Sequence, residues 1–352
     1  MIAAGGTAGH VVPALAVAEH LRAQGAQVHF VGGERAEAEL VPAAGFPFDA
    51  ISVSGLSRSN PLAALRALKR AARACFRARA LLGRLDADVV MGGGGYVSGP
   101  VGLAALTRRI PLVLTEADSH LGLANRALAP FARRVCLAFE PAARPRGRRG
   151  KRYLVTGRPV PPPQTDRAGA RTRLGIDAEE TCVLVFGGSL GARSINLAAM
   201  DAFAGAAFGV LHVCGRRDYP ELSRRELPAG YELREYLDLE HFADALAAAD
   251  LVIARAGGSI FEIAAHGRPA ILIPYPHAAA DHQTSNARWM QRAGAAVVIS
   301  DRELDAPRLA HETAALLADP RRLHAMAAAS ARLGRPQAAR EVAHELLEAA
   351  RR

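Results

Sequence analysis

Cys182-Val183-Leu184-Val185-Phe186-Gly187-Gly188-Ser189-Leu190-Gly191 is an apolar run that breaks into a glycine turn, and Ile2-Ala3-Ala4-Gly5-Gly6-Thr7-Ala8-Gly9 places the same arrangement at the start of the chain. A continuous apolar run marks a strand buried on both faces, as in a parallel sheet. A glycine turn leading from such a strand into a helix aims helix-terminal N–H groups at a ligand. Neither turn has the spacing of the dinucleotide fingerprint, so a nicotinamide enzyme is disfavoured.

Working outward, further apolar runs occur at Val28–Val31, Val89–Met91, Leu112–Leu114, Val210–Val213, Leu251–Ala254 and Ala270–Ile273. Helical patterns such as Val12–Gln24, Asp244–Ala249 and Ser259–His266 separate them. This alternation predicts an α/β chain with parallel sheets covered on both faces, and it runs twice. Between the two runs, Arg133 to Arg152 is basic and rich in Pro and Gly, and Arg158-Pro159-Val160-Pro161-Pro162-Pro163-Gln164 cannot continue a helix or a central strand. The expected division is therefore 1–160 and 161–324: two Rossmann-like domains with both glycine turns at one central cleft. The Ala-rich tail, about 325–352, is expected to be a helix that closes back on the first domain.

Composition limits the function. At 352 residues, half of them hydrophobic and 22% charged, the chain suits two ordinary globular domains. Aromatics make up 5%, too few for a base-stacking platform, and no zinc-finger, KH or RNP pattern occurs. Cys75, Cys136, Cys182 and Cys214 lack any regular spacing and read as core thiols in a reducing compartment. No secretory signal is legible, and the longest uncharged run, Val89 to Thr107, is broken by Gly92 to Gly95, Gly99 and Pro100. A cytoplasmic protein, soluble or peripheral, is expected.

Net charge is +10, which calls for an anionic partner. Eight of the basic residues fall between Arg58 and Arg84, with no acid among them. Arg66, Arg70, Arg73 and Arg77 share one helical face beside Leu65, Leu68, Ala72 and Phe76. Such a helix is either a solvated face or a dock for anionic lipid.

Four segments carry the chemistry. In Gly5-Gly6-Thr7-Ala8-Gly9-His10 the backbone can approach a phosphate, and His10 at the helix mouth can accept a proton. Gly92-Gly93-Gly94-Gly95-Tyr96 follows a strand, and four glycines are entropically costly unless a ligand comes close. Asp86-Ala87-Asp88 imitates a metal-binding DxD but lies at the wrong end of its strand. Arg255-Ala256-Gly257-Gly258-Ser259-Ile260-Phe261-Glu262 places a carboxylate one turn into a helix, where it can accept both hydroxyls of a ribose. Gln283 and Asn286, in His282-Gln283-Thr284-Ser285-Asn286-Ala287, offer amides suited to sugar hydroxyls. For His10 and Glu262, a structural role at the helix start is the alternative.

Taken in order, GGTAGHVVP, Ser54-Gly55-Leu56, GGGGYVSGP, the Thr115–Asn125 segment, GGSLGA, RAGGSIFEIAA and PHAAADHQTSNA resemble the MurG-type N-acetylglucosaminyltransferases of peptidoglycan synthesis along the whole chain. The resemblance implies a GT-B fold and inverting transfer of N-acetylglucosamine from UDP-N-acetylglucosamine to the 4-hydroxyl of an undecaprenyl-diphosphate-linked muramyl-pentapeptide. It implies no cofactor, no metal and no nucleic acid. It places the protein peripherally on the cytoplasmic face of the membrane, where the basic face of Arg66, Arg70, Arg73 and Arg77 is the expected contact.

By the same resemblance, His10 is the base. Gly188, Ser189, Gly191, Arg255, Gly257, Gly258, Glu262, Gln283 and Asn286 hold the donor. Gly6, Thr7, Gly9, Gly94, Tyr96, Glu116, Asp118 and Asn125 take the acceptor and its diphosphate. The chain departs from the family pattern at Thr115-Glu116-Ala117-Asp118, where His-Glu-Gln-Asn is usual. It departs again at Gly157-Arg158-Pro159-Val160-Pro161, where the arginine has moved. Transfer to another lipid, such as diacylglycerol, and UDP-sugar epimerisation are the rival readings.

Overall fold

The computed structural model describes residues 1–6, 8–53, 61–118, 120–140, 147–188, 190–278 and 281–351, without the side chains of residues 8, 61–68 and 147–149. Thr7, Ser189, Ser119 and the 54–56 motif lie outside the described residues, as do the side chains of Leu65, Arg66 and Leu68. The chain forms two compact units, Met1–Pro161 with Arg335–Arg352, and Pro162–Gly334.

The first unit is a seven-stranded sheet, parallel throughout. Its strands are β1 (Ile2–Ala3), β2 (Phe30–Gly32), β3 (Phe48–Ala50), β4 (Val90–Gly92), β5 (Leu112–Glu116), β6 (Arg134–Leu137) and β7 (Tyr153–Val155), in the order 3-2-1-4-5-6-7. Ile2 pairs with Phe30 on one side and Met91 on the other, so the order reverses beside β1. That reversal opens a crevice past the carboxyl ends of β1 and β4, where both glycine loops emerge.

β6 corrects the reading of Arg133–Arg152 as linker. Val135, Cys136 and Leu137 are buried, and the basic surroundings hid a four-residue strand. Helix α1 (Ala8–Ala23) buries Val11, Ala14, Val17, Ala18 and Leu21 on the sheet.

The tail divides differently from the expectation. Helices α12 (Ala306–Leu317) and α13 (Pro320–Leu333) belong to the second unit, and only α14 (Ala338–Ala350) packs in the first. It lays Val342, Ala343, Leu346 and Ala349 into the core that holds α1, small residues allowing close approach. Asp305 and Asp319 cap α12 and α13 by accepting from Arg308 N and Arg322 N, each followed by a proline in the first turn.

Helix α3 (Pro61–Arg84) packs on the sheet through a face other than the Ala72–Phe76 edge. Ala74, Ala78, Leu81 and Leu82 are buried, whereas Ala72 is exposed and Phe76 is 75% exposed among exposed Arg70, Arg73 and Arg77. No described helix is long and apolar enough to cross a membrane.

The second unit repeats the plan with six parallel strands: β8 (Cys182–Phe186), β9 (Gly209–Val213), β10 (Tyr231–Arg234), β11 (Leu251–Ala254), β12 (Ala270–Leu272) and β13 (Ala296–Val298), in the order 10-9-8-11-12-13. Its reversal lies between β8 and β11, which carry the turns at Gly187–Gly191 and Ala256–Gly258.

Candidate functional site

In the first unit the two glycine loops interlock. Gly94 and Gly95 have φ of 94° and 74°, a region open to glycine at little strain. A methyl on Gly94 would stand 2.6 Å from the His10 ring, and one on Gly95 would collide with the Gly5 carbonyl. Ser98 is buried below, accepting the Gly94 N–H at 2.8 Å. His10 is thus fixed by the loop that the sequence placed 84 residues away.

A small recess, partly open to solvent, lies beside it, lined among others by His10, Gly93, Glu116, Thr156 and Arg158. Burial pushes the His10 imidazole below its ordinary value, and the Arg158 cation adds to this; Asp118 and Glu37 act in the opposite sense.

Two residues here escaped the sequence reading. Glu37, 1% exposed on α2 (Ala36–Ala43), accepts the Gly6 N–H at 2.9 Å and the Gly33 N–H at 2.7 Å. The Gly6 amide, expected on the diphosphate, is therefore directed to the protein's own carboxylate. Arg158 donates to the Gly9 carbonyl. A carboxylate inside an apparently ordinary helix start, and an arginine displaced to the position between Gly157 and Pro159, were the signals.

Glu116 and Asn125 organise the next turn. The Glu116 carboxylate accepts from Gly122 N (2.8 Å), Asn125 Nδ2 (3.0 Å) and Asp118 N (3.2 Å), and burial nevertheless pushes its carboxyl up. Asn125 is buried, and its Nδ2 also donates to the Thr115 carbonyl at 2.9 Å. Tyr96 is exposed.

In the second unit, Gly188 and Gly191 have φ of 103° and 79°, and Gly191 abuts the Cys214 carbonyl so closely that a methyl would not fit. Beneath this turn lies a buried polar network. Asn196 donates to Cys214 O and Asp218, both at 2.8 Å, and meets His212 at 3.1 Å, which meets Tyr231 Oη at 2.7 Å.

Gln283, in α11 (His282–Arg292), accepts the Tyr275 N–H at 3.0 Å, and its Nε2 comes close to Gly257, 3.7 Å from where a β-carbon would lie. Glu262 is half-buried in the first turn of α10 (Ile260–Ala265). The structure therefore gathers Gly257, Gly258, Glu262 and Gln283 around the end of β11.

Two expected donor contacts turn inward instead. Arg255 commits its guanidinium to Asp301 (2.5 Å), Ser194 (2.8 Å) and the Ile273 and Pro274 carbonyls (3.3 Å). Asn286, 3% exposed, donates to the Ala256 carbonyl at 3.0 Å and so shapes the turn from within. Among the described residues no cluster of His, Cys, Asp or Glu could hold a metal ion. Asp86 and Asp88 precede β4, at the end away from the glycine loops.

The sequence matches the glycosyltransferase family 28 N-terminal domain over residues 1–137 and its C-terminal domain over residues 182–342. It is 43% identical to a Moorella thermoacetica protein over 364 residues, covering 99% of this chain and 98% of the relative. It is 39% identical to one from Halothermothrix orenii, covering 95% and 94%. Both are named UDP-N-acetylglucosamine–N-acetylmuramyl-(pentapeptide) pyrophosphoryl-undecaprenol N-acetylglucosamine transferase. The crystal structure of Acinetobacter baumannii MurG superposes with a TM-score of 0.76 at 30% identity, over 99% of this chain and 98% of that one. A Neisseria meningitidis UDP-GlcNAc 2-epimerase reaches 0.66 at 14% identity, a likeness of fold alone. The chain belongs to glycosyltransferase family 28, and within it to the MurG-type N-acetylglucosamine transferases.

Proposed function

We propose that this chain transfers N-acetylglucosamine from UDP-N-acetylglucosamine to the 4-hydroxyl of undecaprenyl-diphosphate-linked muramyl-pentapeptide, with inversion. The observation that carries the reading is a glycine loop at the sheet reversal of each unit, in a chain 43% identical end to end to a transferase of that name. In this reading His10 takes the proton of the acceptor hydroxyl as its oxygen bonds to the anomeric carbon. The bond from that carbon to the UDP oxygen breaks, and UDP departs with the electron pair. Backbone amides near Gly188, Ser189, Gly257 and Gly258 stabilise the charge on the leaving diphosphate. Glu262 accepts the ribose hydroxyls and Gln283 reads the sugar. Incubation of UDP-N-acetylglucosamine with and without the lipid acceptor tests the activity. A disaccharide-lipid product formed only with acceptor supports transfer, whereas an epimerised UDP-sugar formed without it overturns the reading.

The donor roles separate by ligand. Glu262→Ala is expected to weaken UDP and UDP-N-acetylglucosamine alike by roughly 1.5–3 kcal/mol, the worth of hydrogen bonds to a charged group. Gln283→Ala is expected to weaken only the UDP-sugar, by about 0.5–1.5 kcal/mol, as for a neutral hydrogen bond. Calorimetric titration with both ligands decides; equal losses for Gln283→Ala would remove its sugar-reading role.

The same reading puts the first unit on the cytoplasmic membrane surface through α3. An exposed Phe76 on a helix that also exposes Arg70, Arg73 and Arg77 suits an anionic headgroup layer better than water. At about 1 kcal/mol per basic side chain, replacing the three arginines by glutamine is expected to weaken binding to anionic vesicles by roughly 100-fold. Turnover of a short-chain soluble acceptor should be unchanged. Co-sedimentation that is unaffected, or insensitive to salt, would assign α3 to solvent.

A further inference from the structure

Arg255 follows β11, and its side chain is 12% exposed. From there the guanidinium gathers three other segments. It donates to Asp301 in the single turn Asp301–Glu303, to the Ser194 hydroxyl in α7 (Arg193–Ala202), and to the Ile273 and Pro274 carbonyls past β12. Ser194 closes the ring by donating to the same Asp301 oxygen at 2.7 Å. The guanidinium also lies 5.5 Å from the centre of the Tyr275 ring. Two carbonyls and one aromatic face therefore hold the Pro274–Tyr275 backbone against the end of β11. The Tyr275 N–H in turn donates to Gln283 Oε1 at 3.0 Å.

A side-chain amide has two orientations that exchange its oxygen and nitrogen, and a backbone N–H selects the one that offers it oxygen. With Oε1 on Tyr275, the Gln283 nitrogen is left on the side of the Gly257 turn, 3.7 Å from where a β-carbon on Gly257 would lie. We propose that Arg255 is a positioning residue for sugar selection: through the Pro274–Tyr275 backbone it holds Gln283 with its N–H edge toward the donor sugar. The proposal rests on the transferase reading, in which Gln283 reads that sugar. The polarity of the contact follows. Gln283 donates, so the group it meets is an oxygen lone pair, on a sugar hydroxyl or on the acetamido carbonyl. An arginine suits this task because its planar fork spans partners on three segments at once, whereas an ammonium gathers its donors at one point.

The test measures affinity for UDP and for UDP-N-acetylglucosamine by calorimetry in the full chain, as wild type, Arg255→Lys, Gln283→Ala and the double variant, each below its unfolding transition. The ratio of the two affinities isolates the sugar. Arg255→Lys keeps a charge beside Asp301 but not the fork. It is expected to lower the ratio of UDP-sugar to UDP affinity by about 2–10-fold, the worth of one neutral hydrogen bond. Gln283→Ala should lower it to a similar extent. The double variant should fall no further than Gln283→Ala alone, because both changes remove one contact. A merely structural Arg255 would lower the melting temperature and leave the ratio at its wild-type value. Ser194→Ala, which removes the hydroxyl linking Arg255 to α7, carries the same test with the same direction of change where Arg255→Lys does not fold.

A folded Arg255→Lys protein with a wild-type ratio overturns the proposal, as do losses that add in the double variant. If Gln283→Ala itself keeps the wild-type ratio, the sugar-reading role of Gln283 fails and the role of Arg255 falls with it. A separate arm needs no ligand: hydrogen exchange at the Tyr275 amide, followed by NMR. If wild type transfers no sugar, the transferase reading fails. The assignment of Arg255 as the group that positions Gln283 then stands on exchange at Tyr275 that is faster by about threefold or more in Arg255→Lys, and falls if the rate is unchanged.

Discussion

Replacing His10 by alanine is expected to lower kcat by about 10²–10⁴-fold, the usual contribution of a general base, while the affinity for UDP-N-acetylglucosamine stays at the wild-type level. The expectation follows from where the imidazole is held. Gly94, with no β-carbon, lets the His10 ring close against the second glycine loop, and the recess opens beside it. Burial first, then Arg158, keeps the ring below the ordinary histidine value of 6.5. At neutral pH it is therefore uncharged and able to accept a proton. Activity should fall only as pH drops through that lowered value, so the acid limb should lie below 6.5. The same shift bears on stability with a definite sign. A depressed folded-state value favours the neutral form, so its contribution is present above 6.5 and is lost as pH falls below it. A His10→Ala protein with near-wild-type turnover would exclude His10 from the proton transfer. A lowered melting temperature with intact turnover would leave it a purely structural role at the helix start.

The largest stability effect is expected at Gly95. Its φ of 74° already disfavours a side chain, and an added methyl would meet the Gly5 carbonyl, a backbone atom that cannot rotate away. Gly95→Ala must therefore separate the two loops of the first site. A loss on the order of 3–5 kcal/mol is expected, in the range reserved for strained backbone and core disruption. Gly99→Ala supplies the control. It lies within α4 (Ser98–Thr107), where a methyl would find Ala124 at an ordinary 3.6 Å. Alanine is also the better helix former, so a change within about 1 kcal/mol, toward stability, is expected. Chemical denaturation of the two variants decides. Equal midpoints would mean that the loops are not locked against each other.

Much of this architecture was legible because parallel strands buried on both faces read as unbroken apolar runs. Cys182–Phe186 and Leu251–Ala254 coincide with β8 and β11 to the residue. Strands that carry charge or lie at sheet edges were not legible. Arg134–Leu137 sits in a basic stretch, and Tyr153–Val155 is three residues at the edge of its sheet, so only pairing reveals them. Within the candidate site, Gln283 and Asn286 looked equivalent, being three residues apart on one helix. The burial boundary of α11 runs between them, and only packing against Ala256 shows which one turns inward.

By itself the sequence determined the α/β class, the twofold repetition of the sheet plan, the position of each glycine loop and the family, since each follows from local apolar runs, turn residues and ordered motifs. Tertiary structure decided which groups those loops meet. Glu37 reaches Gly6 over 31 residues, Gly94 makes room for His10 over 84, and Arg158 reaches Gly9 over 149. Such contacts depend on strand order, which brings β4 beside β1 and carries the chain back after β7. Periodicity along the chain holds no record of them, because a hydrogen bond between distant residues leaves no spacing to read.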